Sequence, residues 1–146
     1  MKRRRRTEIL IEGSREIASA MAQEISDRYE VRLIEEPNQG LVMAKVRETA
    51  EQSLFYIGEV LVSECKVQVE GCMGLGIVKG LHNDLAYQLA VIDAAYQAGL
   101  RETLAWEPLL GSEEAKLKAR REKAFGQIAN TKVDFETMDT VKGGER

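Results

Sequence analysis

The chain has 146 residues, 44% of them apolar and 31% charged, with a formal net charge of −3. A chain of this length can bury roughly two thirds of its unfolded surface, which suits one domain without a disulfide or metal staple. The mixed-charge, slightly acidic composition describes a globular protein and argues against a disordered tail, a membrane protein or general nucleic-acid binding.

Five consecutive basic residues, Lys2 to Arg6, open the chain. Such a run can form an arm for an anionic surface. A solvated, frayed terminus explains it without any partner, and Glu8, Glu12 and Glu16 offer local partners at helical spacing. Arg4 to Glu12 favours helix. Gly13-Ser14 then interrupts, glycine suiting a left-handed C-terminal cap and serine the next N-cap, so two helices are expected rather than one. The second, Arg15 to Arg28, carries Ile17, Met21 and Ile25 on one stripe flanked by Ala18 and Ala22, the mark of a core face.

YEVRLIEE and LVMAKVRET, separated by Pro37-Asn38-Gln39-Gly40, predict an antiparallel hairpin. Pro37 supplies a fixed φ and Gly40 a turn exit, and Val42, Ala44 and Val46 alternate as in a half-buried strand. A third strand begins at Leu54. Its apolar parity changes at Gly58 and again after Val62, which suggests a bulge near Gly58 and another near Ser63.

The stretch GLGIVKGLHNDLAYQL, Gly74 to Leu89, sets three glycines and a lysine ahead of a helix start and raises the question of a phosphate cradle. A P-loop needs four residues between its glycines and a Lys-Ser/Thr pair after the second, whereas the order here is G-x-G-x-x-x-G with Lys79 before Gly80. The dinucleotide fingerprint does not fit either. With Glu70-Gly71 as a two-residue hairpin turn, Val69 faces Cys72, Val67 faces Gly74 and Cys65 faces Gly76. The glycines then leave a trough on a strand that a helix or a partner could approach closely. Cys65 and Cys72 fall on different rungs, so a disulfide is not expected, and with a single histidine, His82, they complete no metal set. Both are expected to be small buried hydrophobes. Nothing resembles an export signal, and a cytoplasmic location is expected.

Asn83 or Asp84 is expected to cap a helix from Leu85 to Ala98, with Gly99 as its stop and Leu85, Leu89, Ile92 and Tyr96 as its core stripe. Asp84 would occupy the helix start and repel phosphate, and His82 reads as a loop residue. Asp93, on the flank of the apolar stripe, needs a partner. After Leu100, Trp106 and Pro108-Leu109-Leu110 read as an apolar connector, and Ser112 opens a charged helix to Ala129 with a thin stripe of Ala115, Leu117, Ala119, Ala124, Phe125 and Ile128. Val133, Phe135 and Met138 follow in a segment expected to be extended, either docking on another chain or folding back on the sheet. The expected fold is α+β: an antiparallel sheet of about four strands, N-terminal helices, a helix after the last strand and a helical or extended C-terminal arm. Residues 1–110 form the core domain and 111–146 the arm.

NTKVDFETM, the EGCMGLGIVKG hairpin arm, LAVIDAAYQ and the GLVMAKVRE strand together resemble the G subunit of the bacterial carbon-phosphorus lyase system, the PhnG family, over about Glu8 to Met138. The basic start and the cysteine-bearing hairpin depart from that pattern, so the resemblance assigns no role to Lys2 to Arg6, Cys65 or Cys72. It implies an accessory subunit of a core complex with I, H and J subunits. In that complex ATP and methylphosphonate give alpha-D-ribose 1-methylphosphonate 5-triphosphate with release of adenine, and a separate J subunit with an iron-sulfur cluster cleaves the C–P bond. No cofactor is implied in this chain, ATP being used by the complex, and no catalytic residue. Partner binding is expected at Val133, Asp134, Phe135 and Met138, with a second copy taking that place in the isolated chain. Two other readings compete. An autonomous phosphoesterase or nucleosidase would use Asp84, Asp93 and His82, but lacks two convergent acids. A nucleic-acid regulator would use Lys2 to Arg6, against the acidic net charge.

Overall fold

The computed structural model describes residues 1–47 and 54–144, with side chains for 1–45 and 57–128. Two helices, α1 (Arg3–Glu12) and α2 (Arg15–Arg28), lead into strands β1 (Val31–Arg47), β2 (Leu54–Val69) and β3 (Cys72–Lys79), then helices α3 (Asn83–Gln97) and α4 (Glu102–Gly144). The α+β class and the antiparallel sheet match the sequence, with three strands in the order β1-β2-β3 among the described residues.

The strand count is lower than about four because Pro37-Asn38-Gln39-Gly40 makes no turn and lies inside β1. Its irregularity is absorbed as a bulge: β1 takes three steps from Glu35 to Asn38 where β2 takes two from Lys66 to Glu64. An edge strand tolerates the N–H that Pro37 lacks, and the Asn38 side-chain amide donates to the Glu36 carbonyl (2.8 Å) and to Glu35 (3.2 Å). The bulge expected at Gly58 is present, since Ile57 is the extra residue between the Ala44–Gly58 and Lys45–Tyr56 pairs. The one expected near Ser63 is not in β2. Ser63 keeps the parity of Cys65 and Val67 and points inward, buried. Val62 beside it is buried on the other face, so the apolar parity changes here with no extra residue, and Ser63 itself is polar. Its hydroxyl donates to the Gly80 carbonyl (2.7 Å) and accepts the His82 N–H (2.9 Å), so the polar group is satisfied.

The hairpin register is as expected, with Val69 opposite Cys72, Val67 opposite Gly74 and Cys65 opposite Gly76, and with Glu70 and Gly71 both at positive φ as a tight hairpin turn requires. The glycine trough is filled by α3. A Cβ on Gly74 would lie 2.0 Å from the Ala90 carbonyl oxygen, and one on Gly76 2.0 Å from that of Ala86. Backbone thus packs on backbone, and Ala86, Ala90 and Ala94 are the matching small residues on the helix. With the sheet on one side and α1, α2 and α4 on others, α3 is buried nearly all round, as its apolar composition demands.

Two helix ends differ from expectation. Gly13 is extended, not left-handed; its small size matters because a Cβ would meet the Ile9 carbonyl at 2.6 Å and Glu113 Cγ at 2.8 Å. The N-cap position of α3 is His82, without a side-chain cap bond, and Asn83 instead accepts a hydrogen bond from Gln39. Gly99 ends the helix at positive φ as expected, with the Leu100 N–H donating to the Ala95 carbonyl (3.1 Å).

The connector and the separate helix after Leu100 are one helix. α4 runs through Pro108 because Glu102, Trp106, Leu110, Glu113 and Leu117, spaced four, four, three and four apart, form one buried stripe. Of the expected stripe only Leu117 is buried; Ala115, Ala119, Ala124, Phe125 and Ile128 are exposed. The backbone stays helical past Val133, Asp134, Phe135 and Met138, where an extended segment was expected. Between Ser112 and Lys142 there is no proline, and a lone Gly126 costs a helix only about 1 kcal/mol.

Candidate functional site

One buried polar cluster joins two features that the sequence left apart, the basic start and Asp93. α1 places Arg6 on the same face as the buried Ile9 and Leu10, three and four residues on. Its guanidinium is therefore carried into the core, where Arg6 Nη2 donates to Asp93 Oδ1 at 3.0 Å. Arg3 Nη2 reaches Asp93 Oδ2 at 2.8 Å, and the same oxygen accepts the Leu75 backbone N–H at 3.0 Å. Arg6 also lies 3.8 Å above the centroid of the Tyr96 ring, which meets Trp106 at 5.8 Å. Burial lowers the Arg6 pKa despite the facing carboxylate.

The reading of Lys2 to Arg6 as a solvated, frayed terminus thus fails for Arg3, Arg5 and Arg6, which are helical and paired, while Lys2 and Arg4 are exposed. Its local partners are also different. Arg5 pairs with Glu114, and Glu8 and Glu12 pair with Arg121, so these contacts tie α1 to α4. Buried Glu113 accepts the Ser14 N–H (3.1 Å) at the α1–α2 junction. At the other end of α4, Glu102 accepts from the Tyr29 hydroxyl (3.0 Å) and Arg28 (3.3 Å), while Trp106 Nε1 donates to Glu24 (3.0 Å). Burial raises the Glu102 pKa, but its hydrogen bonds outweigh this and hold the carboxyl below the usual range. The signal for Arg6 was its spacing from Ile9 and Leu10; no local pattern marks Glu102 or Glu113 as buried.

The cluster suits anchoring rather than acid–base chemistry. Arg6, Arg3 and the Leu75 amide take three of the about four lone-pair sites of the Asp93 carboxylate, which is nearly buried between them. His82 and Asp84 are exposed at the opposite end of α3, and nine helical steps set Asp84 about 13 Å from Asp93 along the axis. The three residues of the phosphoesterase reading do not converge. Gly74 and Gly76 offer no phosphate cradle, since the space above them holds helix backbone. Among the described residues no group of His, Cys, Asp and Glu could hold a metal ion. Both cysteines are free. Cys65 is buried with its thiol pushed up to about 11 by burial and then by Glu35, whereas Cys72 is only partly buried. No described helix is long and apolar enough to cross a membrane.

Partner binding was expected at Val133, Asp134, Phe135 and Met138, whose side chains lie outside the described residues. Just ahead of them α4 exposes Phe125 (73%) and Ile128 (67%), three positions apart and so on one helical face.

The family model for phosphonate metabolism protein PhnG matches residues 1–143, basic start and cysteine hairpin included. A Rhizobium meliloti (strain 1021) protein, alpha-D-ribose 1-methylphosphonate 5-triphosphate synthase subunit PhnG, is 31% identical over 135 residues, spanning 87% of this chain and 86% of its own length. With a match over nearly its whole length and an end-to-end relative, this chain belongs to the PhnG family of phosphonate metabolism proteins.

Proposed function

We propose that this chain is an accessory subunit of alpha-D-ribose 1-methylphosphonate 5-triphosphate synthase. It supports formation of that product from ATP and methylphosphonate with release of adenine, alongside the I, H and J subunits of the carbon-phosphorus lyase core complex. The end-to-end likeness to a relative named as a synthase subunit carries the reading. The engagement of Asp93 by two arginines and an amide, and its distance from His82 and Asp84, support a subunit that does no chemistry alone; in the same reading this chain holds no cofactor and ATP is used by the complex.

The C-terminal arm is the proposed contact, with Val133, Asp134, Phe135 and Met138 seated on a neighbouring subunit next to the exposed Phe125 and Ile128. An apolar anchor such as Phe135 in a buried pocket is worth about 2 kcal/mol or more when truncated. The test co-expresses the tagged chain with the other subunits and compares the full chain with a deletion after Ala129. Loss of capture with an unchanged melting temperature supports the contact; undiminished capture, or collapse of the fold, counts against it. Adenine release from ATP and methylphosphonate by the purified chain alone would overturn the accessory role.

A further inference from the structure

β3 ends at Lys79, opposite Val62, and Gly80 at φ +90° turns the chain away toward α3. β1 and β2 continue as a two-stranded ribbon from the Leu41–Leu61 pair to the Arg47–Leu54 pair. Its seven β1 residues give a length of about 23 Å. The ribbon exposes apolar side chains on both faces, and Glu59, opposite Met43, lies with Lys45 on the face of Leu41 and Met43. Leu41 (65% exposed) and Met43 (57%) stand on one and Val42 (49%) on the other, with Ile57 and Leu61 also exposed. Of residues 41–45 and 57–61 only Lys45 and Glu59 are charged, with opposite signs.

A two-stranded ribbon in water is marginal unless something packs on it. A second copy is a poor match. Joining two ribbons by their edges leaves both apolar faces in water, and stacking them covers one face each, about 230 Å² for strands about 4.8 Å apart. That is well below the ~800 Å² per partner of a standard interface. Two cavities on the described surface suit it poorly: one of about 690 Å³ is walled mainly by Arg3, Arg4, Glu8 and Glu12, and another by Arg15, Glu16 and Asp84 among others. A cleft that grips both faces covers about 460 Å², over half of one partner's standard share.

We infer that the distal β1–β2 ribbon inserts into an apolar cleft of another subunit of the synthase, with Lys45 and Glu59 at its polar rim. This rests on the subunit reading above and adds a second contact, separate from the α4 arm.

The test uses the full tagged chain co-expressed with the other subunits, with Leu41→Glu on one face, Val42→Lys on the other and Lys45→Ala as a ribbon control. Each face variant is expected to lower capture at least tenfold with the melting temperature of the unmodified chain, and the control to stay within twofold. A photo-crosslinking residue at position 43 of the otherwise unchanged chain should join it to a different subunit, which decides the matter if a face variant melts early. Undiminished capture, loss from one face only, or a crosslink only to a second copy would overturn the inference while leaving the subunit reading intact. Failure of the unmodified chain to capture any subunit would instead remove the reading on which it rests.

Discussion

Arg6 is buried beside Asp93 while its neighbours Arg3 and Arg5 remain about half exposed, so one arginine of the run carries most of the desolvation. Removing one partner of a buried pair leaves the other charge without compensation, which costs more than the pair itself contributes. Arg6→Met is expected to destabilise the fold by about 3 kcal/mol, somewhat relieved by Arg3, and adding Asp93→Asn should recover at least about 1 kcal/mol because the amide oxygen still accepts the Leu75 N–H. Urea denaturation of the single and double variants checks this, and strict additivity would show the two residues to be uncoupled. Gly74 and Gly76 are constrained in another way, since any side chain there meets the α3 backbone, which cannot rotate aside.

At the level of elements, the features set by local chemistry were legible and those set by distant partners were not. The Glu70-Gly71 turn, the register of Cys65 with Gly76, the two N-terminal helices and the Gly99 stop follow from residues within a few positions of each other. Pro37 and Pro108 misled because each is tolerated for a tertiary reason: Pro37 at a bulge on an edge strand, and Pro108 on the exposed side of a helix whose other side buries Trp106 and Leu110. The partner of Asp93 was hidden by a separation of 87 residues, although the Arg6, Ile9, Leu10 spacing was visible. Pro108 still denies α4 an interior hydrogen bond. Pro108→Ala is expected to raise stability by about 1–2 kcal/mol, the helix gain exceeding the entropy returned to the unfolded chain. Thermal and urea unfolding followed by circular dichroism would show it, and a lower midpoint would mean that the proline shapes the helix in a way the fold needs.

For the whole molecule, α4 acts as a clasp, held at its start by Glu102 against Arg28 and Tyr29 and further along by Glu113, Glu114 and Arg121 against the α1 region. Because Glu102 titrates below its unfolded value, the folded state binds fewer protons than the unfolded one around pH 4. Its contribution is then complete above the unfolded pKa of about 4.3 and is lost as pH falls through the lower folded value. Melting temperatures of the native chain and Glu102→Gln should therefore differ at pH 7 and converge toward pH 3; parallel curves would show that the carboxylate's charge does not matter. The Asp93–Leu75 bond has one more effect. β3 borders the sheet, and the outward N–H and C=O groups of a bordering strand are a template on which any passing extended chain can pair. At Leu75, mid-strand, the outward amide is already taken by a carboxylate that two arginines hold in place. A strand adding at this side would have to displace that carboxylate before forming its central rung, so the aspartate that fastens α1 also blocks edge pairing at Leu75.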